Sequence, residues 1–383
     1  MIWTVVVFLI VLSVLVIVHE FGHFFVGRMA GIGVLEFALG LPFTRAIWSR
    51  KLSSGMKISL YPLLFGGFVR LLGEDGEGNR QQATGGIRGR HFYNVNVWAR
   101  IAVVLAGVVM NFLLAVALFY LFLALSGFGV LVPRLADYHF LSPSQDRVVV
   151  TFVQDGSPAK AAGLSEGDVV LSADGKEFAT MPDFQAYTKS RSGQEMKLSL
   201  VDVSLANAKQ VKITPRRYPP AGQGALGIGI GEGVVVKYQT LSEKFLSGIY
   251  YSVDMLAYNL RVLAHLGTQS FQTRNLAPIS ENVSGPVGIA GAVGSILGLG
   301  GGKAAVAMFN FVGLLSLSLA FMNVLPIPAL DGGRLMFLLV EALFGKKLAA
   351  KNENLINQIG MAALLALIVL ISFSDVAKII APR

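Results

Sequence analysis

The sequence contains no cysteine, which excludes a disulfide framework and any metal site built on thiolates. Charged residues are also scarce: Asp, Glu, Lys and Arg make up 14% of the 383 residues, whereas soluble proteins contain roughly a quarter. Hydrophobic residues account for 54% of the chain. This composition predicts a polytopic α-helical membrane protein, in which any metal must be bound by His, Asp, Glu or Asn.

Four runs with at most one charged residue are long enough to cross a bilayer, which takes about 20 apolar residues. They cover residues 2–27, 101–132, 304–330 and 354–374. The second run is longer than a span needs, so we expect its end to emerge into water. A further uncharged stretch, residues 283–302, contains eight glycines and a proline. We expect that stretch to form a loop at the membrane surface or against the spans.

The basic residues lie between the apolar runs. Segment 28–100 carries ten Lys or Arg against four acidic residues, and the segment between the third and fourth runs carries Arg334, Lys346, Lys347 and Lys351. The positive-inside rule makes both segments cytoplasmic, so we expect the N-terminus, residues 133–303 and the C-terminus on the outside. We therefore attribute the net charge of +9 to basic residues that orient the chain in a lipid bilayer, and not to binding of a nucleic acid.

The first apolar run contains the sequence His19-Glu20-Phe21-Gly22-His23. On a helix, His19 and His23 lie one turn apart on the same face. Two imidazoles at this spacing bind Zn²⁺, and the intervening Glu20 is placed to activate a bound water. Ionisable groups inside a span are costly, which favours a functional role. The alternative is a pair of structural histidines that find other partners.

Catalytic zinc usually has three protein ligands and one open position, so a third ligand is required. The best candidate is Asp331, which follows two prolines and precedes two glycines within residues 323–333. Irregular backbone of this kind is tolerated at membrane depth where it lines protein or water. Under the predicted topology Asp331, the His motif and Asn111 lie at similar depth, which favours one composite site. The alternative is an aspartate that caps the next helix.

Residues 34–72 alternate between apolar and polar residues in part, which is typical of strands. We interpret this region, which includes Gly66 and Gly67, as a β-hairpin that dips toward the membrane and offers an edge to an extended substrate. A small cytoplasmic sheet is the alternative.

The outer segment shows the pattern of a compact α+β domain. Residues 156–170 indicate a turn, a short helix, a turn and a strand, and Asp174-Gly175 is a hairpin-turn signal. Residues 182–190 suit a second helix with a proline in its first turn. Apolar residues three or four apart between Leu241 and Leu263 predict an amphipathic helix, which we expect to lie on the outer membrane surface.

These features together resemble the site-2 protease family of intramembrane zinc metalloproteases, in particular the bacterial branch that includes the regulator-of-sigma-E protease. Residues 19–23 match the family's His-Glu-x-x-His motif, and residues 323–333 match its Asn-x-x-Pro-x-x-x-Leu-Asp-Gly-Gly pattern. The other matches are Arg100 with residues 106–112 in the second span, Gly66-Gly67-Phe68-Val69 in a membrane-entering β-loop, residues 156–175 in a PDZ domain, and residues 284–290 in a further signature. The departures are Val108 in place of Pro, Leu64-Phe65 in place of Pro-Leu, and one PDZ-like segment where enterobacterial members have two.

The resemblance implies four transmembrane helices, a membrane-associated β-hairpin region and an extracytoplasmic α+β PDZ-like domain. The predicted divisions are 1–30 (first span), 31–97 (β region), 98–132 (second span), 133–216 (PDZ-like domain), 217–303 (linker, surface helix and Gly-rich loop), 304–334 (third span) and 335–383 (cytoplasmic loop and fourth span).

The resemblance also implies the chemistry: His19, His23 and Asp331 bind Zn²⁺, and Glu20 is the catalytic base. The expected substrate contacts are Asn323, Asn111, Gly66 and Gly67. The implied substrate is a transmembrane segment of another membrane protein, such as an anti-sigma factor or a remnant signal peptide, often already shortened by an upstream site-1-type protease. We expect the protein in the bacterial cytoplasmic membrane, with the active site toward the cytoplasm.

A competing class is a PDZ-containing membrane scaffold or holdase with a degenerate metal site. The complete ligand set together with Glu20 disfavours this class, because a scaffold has no need of the glutamate.

Overall fold

The computed structural model describes residues 2–42, 44–74, 89–202, 205, 207–275, 277, 284–345 and 350–380. The helices are α1 (Ile2–Met29), α2 (Val97–Leu125), α3 (Pro158–Ala161), α4 (Met181–Ser190), α5 (Leu241–Thr273), α6 (Pro286–Gly298), α7 (Gly301–Val324), α8 (Asp331–Phe344) and α9 (Ala350–Ile380), with a 3₁₀ turn at Phe92–Asn94. The strands are β1 (Val34–Leu41), β2 (Trp48–Lys51), β3 (Lys57–Leu60), β4 (Leu63–Leu71), β5 (Gly129–Pro133), β6 (Ser144–Val153), β7 (Val169–Ala173), β8 (Met196–Val201), β9 (Ala208–Ile213) and β10 (Ile228–Lys237).

The chain divides into two compact units. The first unit combines Met1–Leu118 with Gln269–Arg383, and the second unit is Phe119–Thr268. The bounds of the domains predicted from the sequence remain predictions.

Four helices within the described residues are long and apolar enough to cross a membrane: α1, α2, α7 and α9. They coincide with the four apolar runs of the sequence. The second run extends to residue 132, but α2 ends at Leu125. Gly127 then takes a φ of 70°, a conformation that suits glycine just after a helix, and residues 129–133 form β5.

The glycine-rich stretch is not a loop, contrary to our expectation: within its described part, residues 286–298 form α6. Pro286 stands in the first turn of α6, where its missing N–H is not needed. The buried carboxylate of Asp375 on α9 caps this helix, because its Oδ2 accepts the N–H groups of Gly285 at 2.9 Å and Gly288 at 2.8 Å. The glycines recur at helical spacing, and a Cβ at Gly294 would lie 3.2 Å from Cγ2 of Thr4 on α1. Glycine here permits close helix packing.

The segment between the third and fourth runs is also more regular than a loop, since residues 331–344 form α8. Lys346 and Lys347, two of its predicted topology signals, lie outside the described residues. So do four of the charged residues counted in segment 28–100: Asp75, Glu77, Arg80 and Arg88.

The predicted β-hairpin is part of a four-stranded sheet with the order β2-β3-β1-β4. β2 and β3 pair as an antiparallel hairpin, β3 runs parallel to β1, and β1 pairs with β4 in antiparallel fashion. β4, which carries Gly66 and Gly67, therefore pairs with β1 and not with its sequence neighbour β3. β1 is the most apolar of the four strands, its residues are mostly buried, and it lies in the interior of the sheet between β3 and β4. β4 packs against α1.

The second unit is built on a six-stranded sheet with the order β5-β10-β6-β7-β8-β9. The predicted short helix, strand and second helix are present as α3, β7 and α4. Strand β10 was not predicted, because Gly229, Gly231 and Gly233 interrupt its apolar pattern. A Cβ at Gly233 would lie 2.8 Å from Leu131 and 2.9 Å from Val149, so the neighbouring strands leave no space for a side chain there.

Candidate metal centre

The His-Glu-x-x-His motif lies in the second half of α1. His19 and His23 are one turn apart, and their Nε2 atoms approach to 3.1 Å. The two rings meet edge to face with centroids 4.7 Å apart. Both side chains are largely buried, with exposed fractions of 11% and 13%. The helical spacing predicted from the sequence therefore brings two ring nitrogens to one point.

Asp331 reaches the same point from the first position of α8, directly after the loop that follows α7. Its Oδ2 lies 2.9 Å from Nε2 of His19 and 3.2 Å from Nε2 of His23. The loop folds back tightly, and two glycines make this possible. A Cβ at Gly332 would lie 2.0 Å from the carbonyl oxygen of Leu325, and a Cβ at Gly333 would lie 2.6 Å from that of Ile327. Any other residue at either position would displace the backbone that carries Asp331.

Helix α9 supports this loop. Ala329 has a φ of 74°, an unfavourable conformation for a residue with a Cβ. Its N–H donates to Oδ1 of Asn357 on α9 at 3.2 Å. Gly360 lies one turn further along α9, close to Pro328. A Cβ at Gly360 would lie 2.7 Å from the carbonyl oxygen of Pro328. No local sequence pattern assigns a role to Asn357 or Gly360, because their position against the loop depends on tertiary packing.

The three atoms fit a zinc ion. Their separations of 2.9, 3.1 and 3.2 Å compare with about 3.3 Å between ligands of a tetrahedral zinc with bonds of 2.0–2.1 Å. Nδ1 of His23 lies 2.8 Å from the carbonyl oxygen of Val103, so Nδ1 carries the proton and Nε2 presents a lone pair. Oδ2 of Asp331 is buried and has no hydrogen-bond partner among the described residues. With a zinc ion bound, this oxygen and both Nε2 atoms would direct their lone pairs at the ion.

Glu20 is held beside this group by the sheet. Its Oε2 accepts the backbone N–H of Val69 on β4 at 2.9 Å. The Cγ atom of Glu20 would be 3.7 Å from a Cβ at Gly67, so β4 passes close to this part of α1. The family resemblance places Val69 in the β-loop, but no sequence pattern predicts that its amide orients Glu20.

Helix α2 packs against the histidines without an intervening side chain. A Cβ at Gly107 would lie 2.6 Å from Cε1 of His19 and 2.6 Å from Nε2 of His23. A Cβ at Gly22 on α1 would lie 2.4 Å from the carbonyl oxygen of Ala106. The two helices therefore cross at backbone distance, as small residues permit. The sequence analysis included Gly107 in a motif but assigned it no role.

Two cavities adjoin the group, and Glu20 and Asp331 line both of them. The first, of about 290 Å³, is also lined by His23 and by the charged residues Arg70, Glu74 and Arg334. The second, of about 280 Å³, is also lined by His19 and by all four residues expected to contact substrate, Gly66, Gly67, Asn111 and Asn323. The eight site residues predicted from the sequence thus surround one centre, although their individual roles remain predictions.

The family model described as Peptidase family M50 matches residues 7–367 of the chain. A protein of Rhizobium meliloti is 32% identical, with 98% of this chain and 96% of that protein covered. A protein of Agrobacterium fabrum is 30% identical over the same shares, and one of Clostridium perfringens is 28% identical over 96% and 97%. All three are named as zinc metalloproteases. A solved PDZ domain from an SdrC-like protein of Listeria monocytogenes is 27% identical, covering 22% of this chain and 85% of its own, with a TM-score of 0.20.

Gly107→Ala tests the close approach of α2 to the histidines. The added methyl group overlaps both rings, so we expect zinc affinity to fall by about tenfold or more, as when the surroundings of a ligand are disturbed. The measurement is competition with a chromogenic chelator on the purified, detergent-solubilised chain.

Gly291→Ala is the matched control, because no described atom outside its own helix segment lies within 4 Å of a Cβ at this position of α6. This control should bind zinc as the wild type does. Wild-type zinc affinity in Gly107→Ala would contradict the described geometry.

Proposed function

The chain belongs to Peptidase family M50, the site-2 protease family, and is a zinc metalloprotease; we propose that it cleaves transmembrane segments of other membrane proteins. One observation carries this proposal. Two of the three converging metal-ligand atoms, together with Glu20, belong to α1, a helix long and apolar enough to cross a membrane. Water and ionisable groups are costly at such a place, so a protease built there is suited to a substrate that lies in the same medium.

His19, His23 and Asp331 would hold zinc as its three protein ligands. Zinc bound there would supply Lewis-acid polarisation of the scissile carbonyl and activation of a water molecule. Glu20 acts as the base that takes the proton of the attacking water and later passes it to the leaving amine. The hydrogen bond from Val69 at 2.9 Å holds one carboxylate oxygen and leaves the other available for this proton.

A transmembrane helix hides its carbonyl groups in its own hydrogen bonds, so the substrate must unwind before cleavage. Among the described strands, β4 lies at one edge of its sheet. Its Gly66 and Gly67 line the same cavity as His19 and Asp331. We infer that the unwound segment pairs with β4 as an added strand. Asn323 lines this cavity as well, and its side-chain amide can both donate to and accept from a peptide backbone.

The charge pattern supports a location in the bacterial cytoplasmic membrane with the active site toward the cytoplasm and both termini outside. On this topology the predicted PDZ-like domain, residues 133–216, lies outside, where it would exclude substrates with bulky outer domains. The proposed substrates are single-span proteins or signal-peptide remnants that an upstream site-1-type protease has already shortened. A scaffold or holdase is a weaker candidate, because it needs neither the convergence of the three ligand atoms nor an oriented Glu20.

Glu20→Gln tests the proposed enzyme most directly. The amide cannot take a proton from water, so cleavage of a membrane-embedded model substrate should fall by at least about 100-fold. Zinc content should stay stoichiometric, because Glu20 is not among the three converging ligand atoms.

The assay is reconstitution in lipid vesicles with a single-span substrate, followed by gel analysis of the products. Glu195→Gln, at a side chain that is 57% exposed in the second unit, is the matched control and should cleave normally. Wild-type cleavage by Glu20→Gln would refute the proposed role of this residue.

Asn323→Leu tests the proposed contact with the unwound backbone. The leucine has a similar volume but no hydrogen-bonding group, so we expect kcat/KM to fall by about tenfold or more while zinc binding is unchanged. Met322→Leu changes the neighbouring exposed side chain and serves as the control. Full proteolysis by Asn323→Leu would rule out the contact.

A further inference from the structure

Asn111 on α2 is a buried polar residue that lines the second cavity and whose side chain contacts a proposed metal ligand. It is 1% exposed, and its Nδ2 lies 3.4 Å from Nδ1 of His19. Its Oδ1 is also buried, and no described residue gives it a hydrogen bond. An unpaired buried acceptor is costly and therefore calls for an explanation.

The surroundings of His23 supply the explanation. Its Nδ1 has an acceptor, the carbonyl oxygen of Val103, at 2.8 Å. Val103, Gly107 and Asn111 recur every four residues and so share one face of α2. Gly107 packs against both rings, with Val103 beside His23 and Asn111 beside His19. α2 thus offers one partner to the Nδ1 atom of each histidine.

A histidine that binds a metal through Nε2 carries its proton on Nδ1, and that N–H needs an acceptor. A carboxamide can turn end for end without changing its shape, which exchanges Oδ1 and Nδ2. In the turned orientation, the unpaired Oδ1 of Asn111 faces the N–H of His19. This rotation gives the ring N–H its acceptor and moves Nδ2 to the buried position that Oδ1 occupied.

We propose that Asn111 is a positioning residue for His19: with zinc bound, its Oδ1 accepts the Nδ1–H of His19 and keeps the Nε2 lone pair directed at the metal. This inference rests on the proposed zinc centre. It assigns Asn111 to the metal site and replaces the substrate contact expected from the sequence. This positioning role requires a side chain of the right shape that carries an acceptor oxygen. A role in packing alone would require the shape but not the acceptor.

The test compares zinc affinities of the purified full-length chain by chelator competition. Asn111→Leu fills the same space without an acceptor and should weaken zinc binding by about 10- to 100-fold. Asn111→Asp keeps an acceptor oxygen in the same place and should bind zinc at least as tightly as the wild type. Ser316→Ala is the control: Ser316 donates to the backbone carbonyl of Asn111 at 2.7 Å, and its loss leaves the side-chain amide in place, so zinc affinity should not change.

Three outcomes would overturn the proposal. Wild-type zinc affinity of Asn111→Leu together with a raised KM for the substrate would return Asn111 to the substrate. An equal loss of zinc affinity in the Leu and Asp variants would indicate packing alone. A loss of zinc affinity in Ser316→Ala as large as that in Asn111→Leu would assign the effect to helix position. If Asn111→Leu does not fold, Asn111→Ala carries the same expectation. Absence of zinc from the wild type would instead refute the proposed zinc centre itself.

Discussion

The metal centre depends on the close crossing of α1 and α2, where glycine on each helix removes the side chain that would separate them. Gly22 of α1 faces the backbone of Ala106, and Gly107 of α2 faces the rings of both histidines. With the helices this close, the carbonyl oxygen of Val103 reaches Nδ1 of His23. A larger residue at either glycine would move α2 away and leave buried ring N–H groups without acceptors, which is costly. The close packing of α1 against α2 and the orientation of the histidine ligands therefore depend on the same two glycines.

The third ligand is subject to a second constraint of the same kind. Asp331 is 308 positions after His23 in the sequence, yet its Oδ2 lies within 3.2 Å of both histidine Nε2 atoms. The loop that carries it has no room for a Cβ at Gly332 or Gly333, and Asn357 holds the strained Ala329. The cost of irregular backbone among apolar helices is offset by these contacts. The geometry of the ligand is thus set by α7, α8 and α9 together, far from the motif that first indicates a metal.

Features that depend on local pattern were predictable from the sequence. Hydropathy identified the four long apolar helices, the spacing of His19 and His23 gave a shared helix face, and the Pro and Gly residues around Asp331 indicated a turn. Features that depend on distant contacts were not. The glycine-rich pattern of α6 is typical of a loop, but Asp375 caps this segment as a helix. β4 pairs with β1, which is not its neighbour in the sequence. The effect of Gly107 on the rings and the contact of Asn111 with His19 require α1 and α2 to be packed together, which no local pattern shows.

The central claim is that two imidazoles of α1 and the carboxylate of Asp331 form one zinc site. Zinc K-edge X-ray absorption of the purified, zinc-loaded wild-type chain tests it most directly. The account predicts one zinc per chain, with two imidazole nitrogens and the remaining ligands oxygen, all at about 2.0–2.1 Å. The chain has five histidines, so a first shell with three or more imidazoles would implicate a histidine outside this site. Such a shell, a shell without imidazole, or failure to bind zinc would contradict the account.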